Sequence, residues 1–188
     1  MLKFIFKVVY YIVDDLIHQR KIVSFLKNKK IKIIIDIGAH KGEFLKAVSK
    51  IESAEKVYSL EPQKKIYKKL LEKTDAKRNK AYNLAISNKE GQKKLSINKL
   101  SMTSTFSKVK KKSKYYRVKK FIVGNQKVFE KVKVKKLDNF VKMIKIKNKI
   151  DLLKIDTEGH ELEVLKSGIK TLSKVKFILI EFRLNDMY

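Results

Sequence analysis

Short apolar runs alternate with helically spaced ones along this chain, and the alternation sets the expected elements. Up to about residue 27, Lys3, Lys7, Asp14, His18 and Lys21 recur at helical intervals. Leu2, Ile5, Val9, Ile12 and Leu16 fill the other side, so an amphipathic N-terminal helix is expected. Its uncharged run from Val8 to Val13 is far shorter than the roughly 20 residues that span a bilayer. The helix is read as packed on the domain, with a position on a membrane surface as the alternative.

Residues 31–36 form a continuous apolar run flanked by lysines and followed by glycine, which predicts a buried first strand. A helix is expected over 42–51, with Phe44, Leu45, Ala47, Val48 and Ile51 on one side. A second strand follows over 57–61. Pro62 then sits in the first turn of a helix that turns Ile66, Leu70 and Leu71 inward. Further strands are expected at 81–86, 150–155 and 176–182. A helix over 137–146 has Phe140, Val141 and Ile144 on its inner face, and another is marked by Leu162, Leu165 and Ile169, with Gly168 near its C-terminal end. Between a turn at 88–91 and residue 134 the pattern weakens: Leu95 and Ile97 alternate, and β segments are expected at 121–123 and 128–134. Strands alternating with helices define an α/β protein with a mostly parallel sheet and helices on both faces. One domain over 30–188, preceded by the helix of 1–29, is the expected organisation.

Composition changes this picture little. A chain of 188 residues with 44% hydrophobic content can bury a sizeable core although 35% of it is charged. The absence of cysteine excludes disulfides and thiolate metal sites. No cleavable secretory signal is evident, so a cytoplasmic location is expected, with the N-terminal helix able to rest on the inner face of the membrane. The net charge of +28 invites a nucleic-acid partner. Yet only Arg20, Arg78, Arg117 and Arg183 of the 47 basic residues are arginine, so 47 − 4 = 43 are lysine. Phosphate and base recognition usually recruits the arginine fork. The lysine, isoleucine and asparagine excess matches AT-rich genomic drift, and a nucleic-acid partner is not favoured.

Candidate chemistry begins with Asp36-Ile37-Gly38-Ala39-His40-Lys41-Gly42. Glycines after a first strand let the backbone turn tightly and approach a ligand, and the following helix start is expected to offer free N–H groups. A dinucleotide loop would show Gly-x-Gly-x-x-Gly. Here an acid precedes the first glycine and the spacing is Asp-x-Gly-x-x-x-Gly. That arrangement suits a ligand with a cationic part, such as the ammonium and sulfonium of S-adenosylmethionine, better than a pyrophosphate. A purely structural strand-to-helix turn is the alternative. Glu61 ends the second strand about 20 residues beyond the loop, where an acid accepts hydrogen bonds from ribose hydroxyls. Asn83 and Ala85 are then expected to border the adenine.

A cluster of acids follows the strand at 150–155: Asp156, Glu158 and Glu161, with His160 among them. Ligands of open α/β sheets sit beyond the carboxyl ends of strands, so this is the expected substrate edge. Such groups can orient or deprotonate a hydroxyl. Helix capping by the acids is the alternative, and His160 is read as solvated. No metal site is expected.

Taken together, residues 35–42, Leu60-Glu61-Pro62, the stretch from Asn83 to Ser87, Leu137-Asp138-Asn139-Phe140 and the stretch from Leu153 to Glu161 resemble the FkbM family of methyltransferases. The segment Lys154-Ile155-Asp156-Thr157-Glu158-Gly159-His160-Glu161 is the most specific of these. The resemblance implies a Rossmann-like domain, S-adenosylmethionine as donor, and O-methylation of a sugar, glycan or secondary metabolite. It implies that Asp36, Gly38 and Gly42 hold the amino-acid end of the cofactor and Glu61 its ribose, and Ala39 and Pro62 are expected among the cofactor-binding residues. The pair Ser104-Thr105 matches a hydroxyl pair of the family that approaches the cofactor or substrate. From the acidic cluster itself, Asp156 or Glu158 is expected to orient or deprotonate the acceptor, with Glu161 on the substrate side. Such enzymes usually continue past strand five with a helix and an antiparallel strand pair. The sequence given ends at Tyr188, so the expectation is a reduced fold or a shortened sequence. An RNA-directed methyltransferase, a cofactor-binding relic and a lysine-rich membrane module remain competing classes, and a nicotinamide oxidoreductase is disfavoured by the loop spacing.

Overall fold

The computed structural model describes residues 19–75, 77–97, 106, 128–147 and 149–181. Most of the expected N-terminal helix, the expected strand at 121–123, Ser104, Thr105 and everything after Glu181 lie outside the described residues. The helix is described only as α1 (Gln19–Lys27), whose Leu26 is buried in the core with Ile22 and Val23 packed beside it.

Five strands make the central sheet: β1 (Ile33–Ile37), β2 (Lys56–Leu60), β3 (Asn79–Tyr82), β7 (Ile150–Ile155) and β8 (Val175–Ile180). Their order is β3-β2-β1-β7-β8, and every neighbouring pair is parallel. β1 therefore lies between β2 and β7, where the strand order reverses. This is the switch point at which open α/β sheets bind ligands.

Alternation along β1 sorts the core. Ile34 faces α2 (Glu43–Val48) and α3 (Lys64–Leu71), in a cluster with Phe44, Leu45, Val48, Leu70 and Leu152. Ile35 and Ile37 face the other side, where α4 (Leu137–Met143) and α5 (Glu161–Lys166) bring Phe140, Val141 and Val164. Helices thus cover both faces, as the sequence pattern requires. Asp138 fastens that second layer. Its Oδ1 accepts from the backbone N–H and hydroxyl of Thr171 at 2.7 Å each, and its Oδ2 accepts from the N–H of Lys170, at the start of α6 (Ile169–Leu172). The Leu137-Asp138 segment is structural in this sense.

Three expectations need correction. The strand expected over 81–86 is two strands in two sheets, because Leu84 N–H turns back to the carbonyl of Tyr82. β4 (Ala85–Ile86) leaves the central sheet and joins β5 (Gly91–Ile97) and β6 (Val128–Lys135) in the order β4-β6-β5. Ala85, Leu95, Val132 and Val134 form the small core of this second sheet. The helix expected through Ile169 ends at Lys166, and Gly168 precedes α6, where an added Cβ would stand 2.5 Å from Leu137 Cδ2. Leu71 is 42% exposed rather than turned inward, since the single buried stripe of α3 is satisfied by Ile66 and Leu70.

Among the described residues, no helix is long and apolar enough to cross a membrane.

Candidate active site

The carboxyl ends of β1, β2 and β7 bring the predicted residues to one edge. Their mutual contacts begin with Gly38, whose φ of +86° is a left-handed value that glycine adopts readily. A Cβ there would stand 1.8 Å from the carbonyl oxygen of Asp156. Asp156 N–H in turn donates to the carbonyl of Ile37 at 2.9 Å. The glycine loop and the acidic loop are thus pressed together, and glycine is what permits it. Gly42, with φ +81°, starts α2 and leaves 3.0 Å between its added Cβ and Leu70 Cδ1.

The loop does not present the free N–H groups expected of it. Gly38 and Ala39 N–H both donate to the Leu60 carbonyl, at 3.0 and 2.9 Å. His40 N–H donates to Glu61 Oε2 at 3.0 Å, Lys41 N–H to Glu43 Oε2 at 3.0 Å, and Gly42 N–H to the Ala39 carbonyl at 2.9 Å. Glu43 itself occupies the helix start, held low by the His40 ring against the upward push of burial. The loop satisfies its donors internally, as buried backbone must.

Glu61 is 3% exposed, and its second oxygen accepts from Gln63 N–H at 2.8 Å. Burial raises its carboxyl to about 7, against the N–H groups of Gln63 and His40. One carboxylate therefore ties the tip of β2 to the glycine loop of β1. Asn83 reinforces that tip, donating from its side-chain amide to the carbonyls of Glu61 and Pro62 at 2.9 and 2.8 Å. Ala85, expected near the adenine, is buried in the core of the small sheet.

Beneath the loop, Asp36 is fully buried, opposite Lys154 in the β1–β7 register. The Lys154 ammonium stands 3.3 Å from Asp36 Oδ1 and 3.2 Å from Asp156 Oδ2. Burial works against this ammonium, but the two carboxylates outweigh it and hold its pKa above the ordinary lysine value. Burial raises the Asp36 carboxyl, with Lys154 opposing. Neither Asp36 oxygen has an aligned hydrogen bond among the described residues, and the buried hydroxyl of Ser59, its neighbour on β2, has none either. Sequence reasoning placed Lys154 in the most specific segment but gave it no role. One lysine inside a strand does not stand out among 43, although its place two residues before Asp156 was a usable signal.

The acidic loop is organised from within. Glu161 Oε1 accepts from Thr157 N–H, the Thr157 hydroxyl and Gly159 N–H, at 3.0, 3.1 and 3.0 Å. Its described contacts are therefore those of a loop-holding residue. Glu158, buried and at φ +54°, and His40, at φ +48°, are non-glycine residues in the left-handed region, one in each of the two abutting loops. Such strain gathers at functional loops. His160 is not solvated but 8% exposed, against Ser87 and the ring of Phe106, because the small sheet covers it. Among the described residues, no three His, Asp or Glu side chains are grouped to hold a metal ion.

A family model described as the Methyltransferase FkbM domain matches residues 36–188. The chain belongs to the FkbM methyltransferase family, and its all-parallel five-stranded sheet with helices on both faces is the Rossmann-like architecture expected of it. No curated protein matches the chain, and no solved structure does.

Proposed function

We propose that the chain is an S-adenosylmethionine-dependent O-methyltransferase acting on a hydroxyl of a sugar, glycan or secondary metabolite. The observation that carries this reading is Glu61, a buried carboxylate locked to the glycine loop at the switch point of the sheet. Its two oxygens offer about four acceptor sites, and the backbone N–H groups of His40 and Gln63 together with the Gln63 side chain engage three of them, which leaves room for a ribose hydroxyl.

When bound, S-adenosylmethionine supplies a methyl group on a sulfonium, and the protein's part is position and electrostatics. Glu61 and Pro62 would hold the ribose side, and the Gly38–Gly42 loop would lie along the amino-acid end, with Asp36 acting from beneath through Lys154. Asp156, 28% exposed at its side chain and fixed by Lys154, would orient the acceptor hydroxyl, with Glu158 beside it in sequence. Transfer of isotope-labelled methyl from S-adenosylmethionine to a panel of monosaccharides, glycans and amines tests the reading. Label in base-stable ethers on sugar hydroxyls is expected; label confined to amines would overturn the O-methyl assignment.

A further inference from the structure

β5 and β6 form an antiparallel ribbon, and the alternation of their side chains gives it two unlike faces. Leu95, Val132 and Val134 pack the inner face. On the outer face Lys94 lies directly opposite Lys131, and Gln92 opposite Lys133, with all three lysines exposed. Like charges directly opposite each other disfavour a sheet. None of the three makes an ion pair among the described residues. The acids of the ribbon and its turn are engaged elsewhere. Glu130 lies on the inner face and accepts from Lys64 N–H, and Glu90 accepts from Lys136 N–H.

The end of the ribbon away from β4 is apolar. Val128 and Phe129 begin β6, and each is 60% exposed. They belong to opposite faces, for Val128 pairs with Ile97 on the inner side and Phe129 with Ser96 on the outer. A partner docked on either face would cover one of them and leave the other in water. An apolar phase that the end of the ribbon enters covers both. The sequence extends the charge: residues 98–127, which join β5 to β6, include nine lysines and Arg117 and no acid.

We propose that the β5–β6 ribbon docks the protein on an anionic lipid surface. Val128 and Phe129 enter the headgroup boundary, and Lys94, Lys131 and Lys133 meet the lipid phosphates. The dimensions agree. Two residues of strand advance about 7 Å, so Lys131 stands about 7 Å behind Phe129 and Lys133 about 14 Å behind it. An interfacial element sinks about 5–10 Å, which brings the facing pair Lys94 and Lys131 to the headgroups. Lysine without arginine on this face suits diffuse negative charge better than the bidentate contacts of a nucleic acid. The proposal is independent of the methyltransferase reading.

Sedimentation of the full chain with vesicles tests it, using phosphatidylcholine alone and phosphatidylcholine mixed with phosphatidylglycerol. Binding to the anionic vesicles only is expected, and salt should weaken it. Each lysine near such a surface is worth about fivefold in affinity, so joint Lys94→Gln, Lys131→Gln and Lys133→Gln substitution should lower affinity about 10²-fold. These side chains are exposed, so the variant should melt like wild type. The substitutions leave residues 1–29 untouched. Wild-type affinity in the folded variant assigns the attraction to another part of the chain and overturns the proposal, as does equal binding to neutral vesicles. Binding of single-stranded RNA that the triple variant loses, with no vesicle binding by wild type, makes the ribbon a nucleic-acid surface and also overturns it. The chain has no tryptophan, so Phe129→Trp places a single reporter at the apolar end. Its emission is expected to shift to the blue on anionic vesicles; unshifted emission from vesicle-bound protein overturns the insertion.

Discussion

Asp36 and Lys154 face each other across the β1–β7 ladder, and their charged ends meet at 3.3 Å inside the sheet. The same ammonium reaches Asp156 at 3.2 Å, so one buried cation links the strand beneath the glycine loop to the loop expected at the acceptor. Removing one member of a buried pair leaves an uncompensated charge, which costs roughly 3–5 kcal/mol. Lys154→Met is therefore expected to destabilise the fold by about that much, and Asp36→Asn in the same chain to restore part of it. Chemical denaturation of both single variants and the double variant measures the coupling. Additive losses would show that the two groups do not act as a pair.

The two loop glycines are expected to differ sharply. Gly38→Ala drives a Cβ into the Asp156 carbonyl at 1.8 Å, where the nearest atoms are all Asp156 backbone and no flexible side chain can yield. Its cost should exceed about 3 kcal/mol, more than left-handed strain alone provides. Gly42→Ala meets the flexible end of Leu70 at 3.0 Å, and should cost about 1–2 kcal/mol. Thermal melting of the two variants checks the order; equal losses would mean that the Gly38 contact is not enforced in solution.

Glu61 should make stability depend on pH. Its carboxyl is raised from 4.5 to about 7 because burial outweighs the N–H groups that favour the carboxylate, so ionising it costs more in the folded chain than in the unfolded one. Its contribution is fully present below about pH 4.5 and is lost as pH rises to about 7, amounting to about 3 kcal/mol. The unfolding free energy of wild type, compared with Glu61→Gln, should fall over that window and then level. A pH-independent difference would contradict the burial argument.

Asp138→Ala serves as a control far from the proposed chemistry. It removes the acceptor of Thr171 and Lys170 donors at the start of α6. A stability loss of about 1–2 kcal/mol is expected, as for a lost helix cap, with cofactor affinity unchanged. Weakened binding in calorimetry would mean that the second helical layer bears on the site.

Much of this arrangement was legible in the sequence. The apolar runs of β1, β2 and β7 announce buried parallel strands, and Asp36 with Glu61 marks their carboxyl ends. Contacts between distant segments were not legible. The pairing of Ser87 with His160 spans 73 residues, and nothing local in either segment encodes it. Periodicity cannot show β4 departing for a second sheet, because Ala81 to Ile86 is one run whichever sheet each half joins. Glycine spacing announced a tight loop, but which N–H groups it spends on itself depends on Leu60 and Glu61 being folded beside it.

The most direct test of the account is calorimetric titration of the full chain with S-adenosylmethionine, alongside Glu61→Ala and the Asp138→Ala control. Saturable one-to-one binding is expected for wild type and the control, with affinity at least about tenfold weaker in a folded Glu61→Ala, the loss of one or more charge-assisted hydrogen bonds. No binding by wild type, or equal affinity in Glu61→Ala, would contradict it.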